Sequence, residues 1–251
     1  AARIGKKEGL RVDQRFFVYE HRYNPATQEI IERKRGVIRV GKDITDNRDI
    51  ASTEMEPSKF YQVSGRRLHE GYILQQNNDF GLELRFDYGL GEMGGFNAEI
   101  GALVGRFLGI PSFYLVGMVG FGSGSYPSFV QGGQTIYPFA GEDLSFLKYG
   151  LSLAKGLYIV RNFEIRPHFG VFFETARNED IIDDEIQGMF LNAGGSLGIH
   201  IVHYMQLVVG YNQFISIGNA SYGEDDTDYS YTDIFPGREG GAQFFGIRFI
   251  F

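Results

Sequence analysis

From Phe80 to Phe251, apolar and polar side chains alternate with a two-residue period, the pattern of strands with one apolar and one polar face. The run Phe80 to Gly89 is the clearest: Phe80, Leu82, Leu84, Phe86 and Tyr88 share one face, and Gly81, Glu83, Arg85 and Asp87 the other. Six further runs follow, Phe96 to Arg106, Ser112 to Gly122, Leu144 to Ala154, Phe163 to Thr175, Met189 to His200 and Tyr204 to Gly218. The eighth is the C-terminal stretch GGAQFFGIRFIF, which places Phe245, Ile247, Phe249 and Phe251 on one face and Phe244, Gly246, Arg248 and Ile250 on the other. Connections after the second, fourth and sixth runs are short, whereas those after the third, fifth and seventh span about 10–20 residues. Lys155 to Asn162 reads as a compact turn. Pro167, inside the fifth run, removes a ladder donor and predicts a local bulge.

A soluble sandwich would cover each apolar face with a second sheet and would not leave Phe, Leu and Ile outward on all eight strands. The expected fold class is therefore all-β, an eight-stranded antiparallel transmembrane β-barrel over residues 79–251 preceded by a small soluble β-domain over residues 1–78. The closing stretch, aromatic on its outer face and ending on Phe251, resembles the last strand of Gram-negative outer-membrane barrels of the OmpA/OmpX type. The resemblance implies an outer-membrane location, with Phe245, Ile247, Phe249 and Phe251 as the signal read by the barrel-insertion machinery. It also implies short periplasmic turns and long external loops. With the last strand running toward the periplasm, the first runs up from it, and residues 1–78 lie in the periplasm.

Within those residues, Arg11 to Tyr23 reads as a strand, Asn24 to Thr27 as a turn and Glu29 to Val40 as a second strand. Arg15, Glu20, Arg22, Glu32, Arg33, Lys34, Arg35 and Arg39 cannot all face lipid, where a Lys or Arg at mid-depth costs about 2–4 kcal/mol. The glycine-punctuated pattern through Gly5, Gly9, Phe16 to Glu20, Gly36 to Val40 and Leu68 to Leu74 resembles the small β-barrel modules of flagellar-ring and secretion-associated periplasmic proteins. Asp43 to Ser58 is polar and aperiodic and reads as a loop. The basic triplet Arg33-Lys34-Arg35, flanked by Glu29 and Glu32, reads as a solvated strand face, and no nucleic-acid partner is expected.

Charge divides the chain near Asn77-Asn78. Residues 1–78 hold 15 Lys and Arg against 11 Asp and Glu, and residues 79–251 hold 9 against 20. Although 43% of residues are hydrophobic, no stretch of about 18 apolar residues exists that would make a membrane-spanning helix. The blend of 35 Gly, 15 Tyr and 23 Phe suits a tightly curved sheet with bulky residues on one face. Without cysteine there is no disulfide framework and no thiolate metal site. The start at Ala1-Ala2 shows no n-region or h-region, so any export signal has been removed or lies upstream.

An eight-stranded barrel is just wide enough for side chains to fill it. Glu83, Arg85, Asp87, Glu99, Lys148, Glu164, Arg166, His168, Glu174 and Arg248 fall on the polar faces, so a paired interior network is expected, and with it a plugged barrel. Candidate catalytic pairs are His168 with Glu174, or His200 with Ser152 or Ser196, but none places a nucleophile beside a base at rim height. No catalytic residue, cofactor or protein-held metal is expected. Tyr126, Tyr137, Tyr158, Tyr204, Tyr211 and Tyr222 lie near strand ends, where interfacial girdles belong. Two acidic loops, Glu179, Asp180, Asp183, Asp184 and Glu185, then Glu224, Asp225, Asp226 and Asp228, are dense enough to meet divalent cations bridging lipopolysaccharide, though they match no EF-hand spacing. The reading these features favour is a non-enzymatic membrane anchor, a scaffold subunit of a cell-envelope complex carrying a periplasmic interaction module. A surface adhesin working through its loops and a lipid-modifying barrel enzyme are the alternatives.

Overall fold

A computed structural model describes residues 2–48, 56–91, 93–125, 129–131, 134–136, 143–177, 186–221, 228–235 and 237–251. Eight antiparallel strands, Leu82–Leu90, Gly95–Ala102, Phe113–Ser125, Asp143–Lys155, Phe163–Arg177, Ile186–Val202, Met205–Ser216 and Gly240–Ile250, pair in sequence order. The last pairs with the first in register Phe249↔Leu84 through Gln243↔Leu90, which closes the sheet into a barrel and leaves no free edge between strands one and eight. Phe251 N–H donates to Leu82 O at 2.9 Å and so carries the closure to the final residue.

The alternation of the sequence becomes an alternation of environment. Along strand one, Leu82, Phe86, Tyr88 and Leu90 are exposed while Glu83, Arg85 and Asp87 are buried. Inward glycines make room for long polar side chains: a Cβ on Gly101 would lie 2.5 Å from Glu83 Cγ.

Beyond shifts of a few residues at strand ends, three features differ from the sequence reading. Strand two ends at Ala102, and Gly105–Leu108 form a single helical turn. The segment Lys155 to Asn162 is not one compact turn, because Leu157–Val160 continue the ladder against strand five and only the tip reverses. At Pro167 there is no bulge. Strand five keeps its register with strand six through Pro167↔Gly195. On its other side the ladder stops at Ala154↔His168 and resumes at Leu157↔Ile165. The proline ring points outward and only interrupts the ladder, while Gly156 N–H turns to Ser112 O at 2.8 Å.

Ahead of the barrel, four strands form a separate antiparallel sheet in the order β3-β2-β1-β4: β1 (Arg15–Asn24), β2 (Glu29–Val40), β3 (Phe60–Gly65) and β4 (Ile73–Gln76). One face carries Phe16, Val18, Ile38, Val40 and Phe60, packed with Leu10, Ile44, Leu68, Tyr72 and Leu74 into a small core. The opposite face, Arg15, Phe17, Val37, Arg39, Tyr61 and Val63, meets the barrel end at which the short connections lie. The far halves of β1 and β2 extend beyond this contact as an exposed hairpin.

Candidate functional site

Away from strand termini, the outward positions of the barrel carry no Asp, Glu, Lys or Arg among the described residues. Instead Leu82, Ile100, Val119, Leu151, Phe169, Leu197, Val209 and Ile247 stand exposed, at least one from each strand. An apolar wall of this extent far exceeds the patches that water-soluble monomers expose, and it matches the hydrocarbon-facing band of a membrane barrel. Phe245, Ile247 and Phe251 belong to this wall, and Phe249 is half-buried within it. Tyr204 and Tyr211 also face outward, but Tyr158 does not serve as a girdle residue: its ring stacks on His200 at 6.3 Å and lies 5.5 Å from Tyr61, between barrel and sheet. Tyr126, Tyr137 and Tyr222 lie outside the described residues.

The middle of the lumen is filled by charge. Glu164, fully buried, accepts from Arg166 Nε at 2.9 Å, Gln206 Nε2 at 2.8 Å and Arg248 Nη1 at 3.4 Å. Arg166 also pairs with Glu83, and Arg248 donates to Gln206 Oε1 at 2.9 Å, with its Nε 3.8 Å from Glu83. Beside them Arg85 donates to Asp87 at 2.7 Å and pairs with Glu99, while Asn97 donates to Asp87 at 2.8 Å. The guanidiniums of Arg85 and Arg166 lie 4.5 Å and 4.2 Å from the ring centres of Phe244 and Tyr114, a further stabilisation of desolvated cations. His168 Nε2 sits 2.6 Å from Asn212 Oδ1. The space left between these side chains is about 20 Å³, room for a single water and not for a pore.

Toward the long-loop end the filling becomes apolar. Phe146, Phe172, Phe190 and Phe214 point inward and pack against Tyr231, Ile234 and Phe235, which the loop before strand eight folds back into the barrel mouth. Arg238, from the same loop, donates through Nε to Glu174 at 2.8 Å and pairs with it through Nη2, and Tyr231 Oη donates to Glu174 at 3.1 Å. The ring of Tyr231 lies over Gly188, where a Cβ would come within 2.5 Å of it. Lys148 is not part of the ion-paired layer. Its Nζ reaches the carbonyls of Met93 at 2.5 Å and Gly94 at 3.1 Å, in the turn after strand one. Arg238 and Tyr231 escape a strand-by-strand reading because they lie in a loop. The available signal is that Arg238 is the sole basic residue of residues 219–240, next to the apolar Ile234 and Phe235.

At the short-turn end the N-terminal sheet closes the mouth. Both carboxylate oxygens of Asp13 accept the Ser112 N–H, at 3.0 and 2.8 Å, and Tyr61 Oη donates to Asp13 at 2.6 Å. Asn162, at the tip between strands four and five, donates its N–H to Val63 O at 3.1 Å and accepts the Gly65 N–H at 2.6 Å. Asp13, Ser112 and Asn162 all have positive φ, at 64°, 51° and 66°. Such backbones are sparsely populated for residues other than glycine and persist where surrounding contacts hold them. Arg39, 3% exposed, pairs with Asp79 at 2.6 Å. Burial is the largest single influence and opposes its charge, but Asp79 together with Tyr114, Tyr61 and Tyr158 raises its pKa on balance. The module is thus docked on the barrel through Asp13, Phe17, Arg39 and Tyr61 rather than hung from a linker.

Of the catalytic candidates, His168 and Glu174 are engaged apart from each other, His168 with Asn212 and Glu174 with Arg238. His200 Nε2 meets Gln206 at 2.8 Å. Ser196 lies 3.4 Å from Arg248 Nη2. The first acidic loop and Glu224 to Asp226 of the second lie outside the described residues.

No protein-family model matches the chain, and no curated protein matches it. Among solved structures it is similar to the N-terminal β-barrel domain of Pseudomonas aeruginosa OprF, at 8% identity over 70% of this chain and 100% of that one, with a TM-score of 0.45. It is also similar to a major outer membrane protein of Thermus thermophilus, at 13% identity over 68% and 98% with a TM-score of 0.48. A third likeness is to neisserial surface protein A, at 13% identity over 70% and 100% with a TM-score of 0.42. These are likenesses of fold.

Proposed function

We propose that this chain is a non-enzymatic outer-membrane anchor that holds its N-terminal sheet rigidly in the periplasm as the docking element of a cell-envelope complex. The observation that carries this reading is the β1–β2 hairpin. Its far end leaves the barrel behind and exposes Tyr23 and Ile30, 61% and 65% accessible, on a unit whose other apolar face is already covered. A filled lumen supports an anchor rather than a channel, and an apolar outer wall supports the membrane as its surroundings. The face of Phe245, Ile247, Phe249 and Phe251 is the stretch that insertion machinery would take.

The test is co-purification. Wild-type protein and the Ile30→Glu variant are extracted from membranes in mild detergent, and subunits retained by the wild type are expected to be lost from the variant. Equal recovery with both would remove the hairpin from the interface and end the scaffold reading. Topology has its own check: protease added to intact cells is expected to cut within residues 219–240 and nowhere within residues 1–78. Cleavage of the N-terminal segment from outside would invert the orientation.

A further inference from the structure

A cleft of about 600 Å³ runs between the N-terminal sheet and the barrel, lined by Arg11, Arg15, Asn77, Phe80, Arg106 and Phe107 among others. Arg15 is 8% exposed, its Nη2 donates only to the Asn78 carbonyl at 3.0 Å, and its Nε has no partner. No carboxylate stands within ion-pair distance of it among the described residues. The carboxylate that its neighbourhood offers, Asp79, is taken by Arg39 at 2.6 Å and by Arg106 at 3.4 Å. Arg106 Nε is likewise buried without a partner. Glu8, the cleft's remaining acid, is engaged by the Gly5 N–H at 2.6 Å and by Asn47 at 2.7 Å.

Three guanidiniums therefore share one carboxylate in a largely desolvated seam. Burial lowers the Arg15 pKa, Asp79 opposes the shift, and Arg39 and Arg106 add to it. Leaving a buried charge unpaired is costly, and an oxyanion bonded by two guanidiniums relieves that cost. The walls add a second requirement. Phe80 and Phe107 are 78% and 84% exposed, and Leu108 at 61% and Ile110 at 43% continue the same apolar edge beside the barrel wall. The cleft thus offers cationic donors at one end and an apolar surface at the other.

Building on the membrane-anchor reading, we propose that the cleft binds one anionic glycerophospholipid of the adjoining leaflet, its phosphate held by Arg15 and Arg106 and its acyl chains lying along Phe80 and Phe107. The lipid acts as a third component of the seam and fixes the sheet to barrel and membrane together.

The test is native mass spectrometry of the full chain in a phosphate-free maltoside detergent, with phosphatidylglycerol, diacylglycerol and inorganic phosphate as separate probes. The wild type is expected to retain one phosphatidylglycerol and no diacylglycerol. Arg15→Gln, which removes a charge-assisted bond, and Phe107→Gln, at a surface position that leaves folding intact, are each expected to reduce the lipid-bound fraction about tenfold. Unchanged retention in both variants overturns the site. Binding of inorganic phosphate that displaces the lipid and ignores Phe107→Gln overturns the lipid assignment in favour of a free anion. Insertion of the same wild-type sample into phosphatidylcholine vesicles separates the two readings. Failure to insert brings down the anchor and the lipid site together, whereas insertion without Arg15-dependent retention brings down the lipid site alone.

Discussion

Replacing Glu164 by Ala is expected to destabilise the folded barrel by about 3–5 kcal/mol, the cost of removing one partner from a buried ion pair. Glu164 is the hub of the lumen, since it takes hydrogen bonds from Arg166, Arg248 and Gln206, which reach it from three different strands. Without it Arg166 retains Glu83, but Arg248 is left with Glu83 at 3.8 Å and with neutral groups. The space left between the side chains, about 20 Å³, admits one water, too little to rehydrate a guanidinium. The penalty therefore comes from the orphaned cations more than from the lost bonds. Urea unfolding of the protein inserted in vesicles measures it, and the double variant Glu164→Ala with Arg248→Met, which removes the orphaned cation, is expected to recover part of the loss. A Glu164→Ala shift below about 1 kcal/mol would mean that the network is hydrated and the lumen open.

How much of this is legible in the sequence depends on the range of the interaction. The two-residue period separates Leu84 from Arg85 and Ile247 from Arg248, and that local signal yields the strands, the barrel and its two faces. It gives the pool of interior charges but not their pairing: Arg166 and Glu83 are 83 residues apart and meet only because of the closed ladder. The plug is less legible still, because Tyr231 and Arg238 sit on a loop where no period marks which side chains turn inward. The docked face is hidden for a similar reason. Arg15 and Arg39 look like solvated strand positions in a segment that also carries Arg22, Arg33 and Arg35, and alternation cannot tell a face that meets water from one that meets a second unit. The positive-φ contacts of Asp13, Ser112 and Asn162, with the Arg39–Asp79 pair and the Tyr61–Tyr158 contact, reveal that the sheet is clamped in place, and backbone torsions of non-glycine residues have no sequence signature here.

Leu151→Arg is expected to cost about 2–4 kcal/mol when the protein is folded into a bilayer. Leu151 lies mid-strand, opposite Gly117 on one side and Val171 on the other, and is 61% exposed. In a water-soluble protein a substitution at a position this open, making no specific contact, stays within about 0.5 kcal/mol of neutral. The two surroundings thus predict effects that differ several-fold for one side chain. Ile30→Arg supplies the internal comparison, because Ile30 has nearly the same exposure, 65%, on the hairpin that the proposed orientation places outside the membrane. Urea titration of both variants in vesicles is expected to shift the midpoint for Leu151→Arg and leave it in place for Ile30→Arg. If both are neutral, the apolar wall does not face hydrocarbon; if both are costly, the hairpin is embedded and the membrane boundary lies beyond β1 and β2. A depth series along the same outward face, Tyr149, Leu151 and Leu153, is expected to show the cost of Arg falling toward the strand ends, since a long cation near the interface reaches water by extending along the wall.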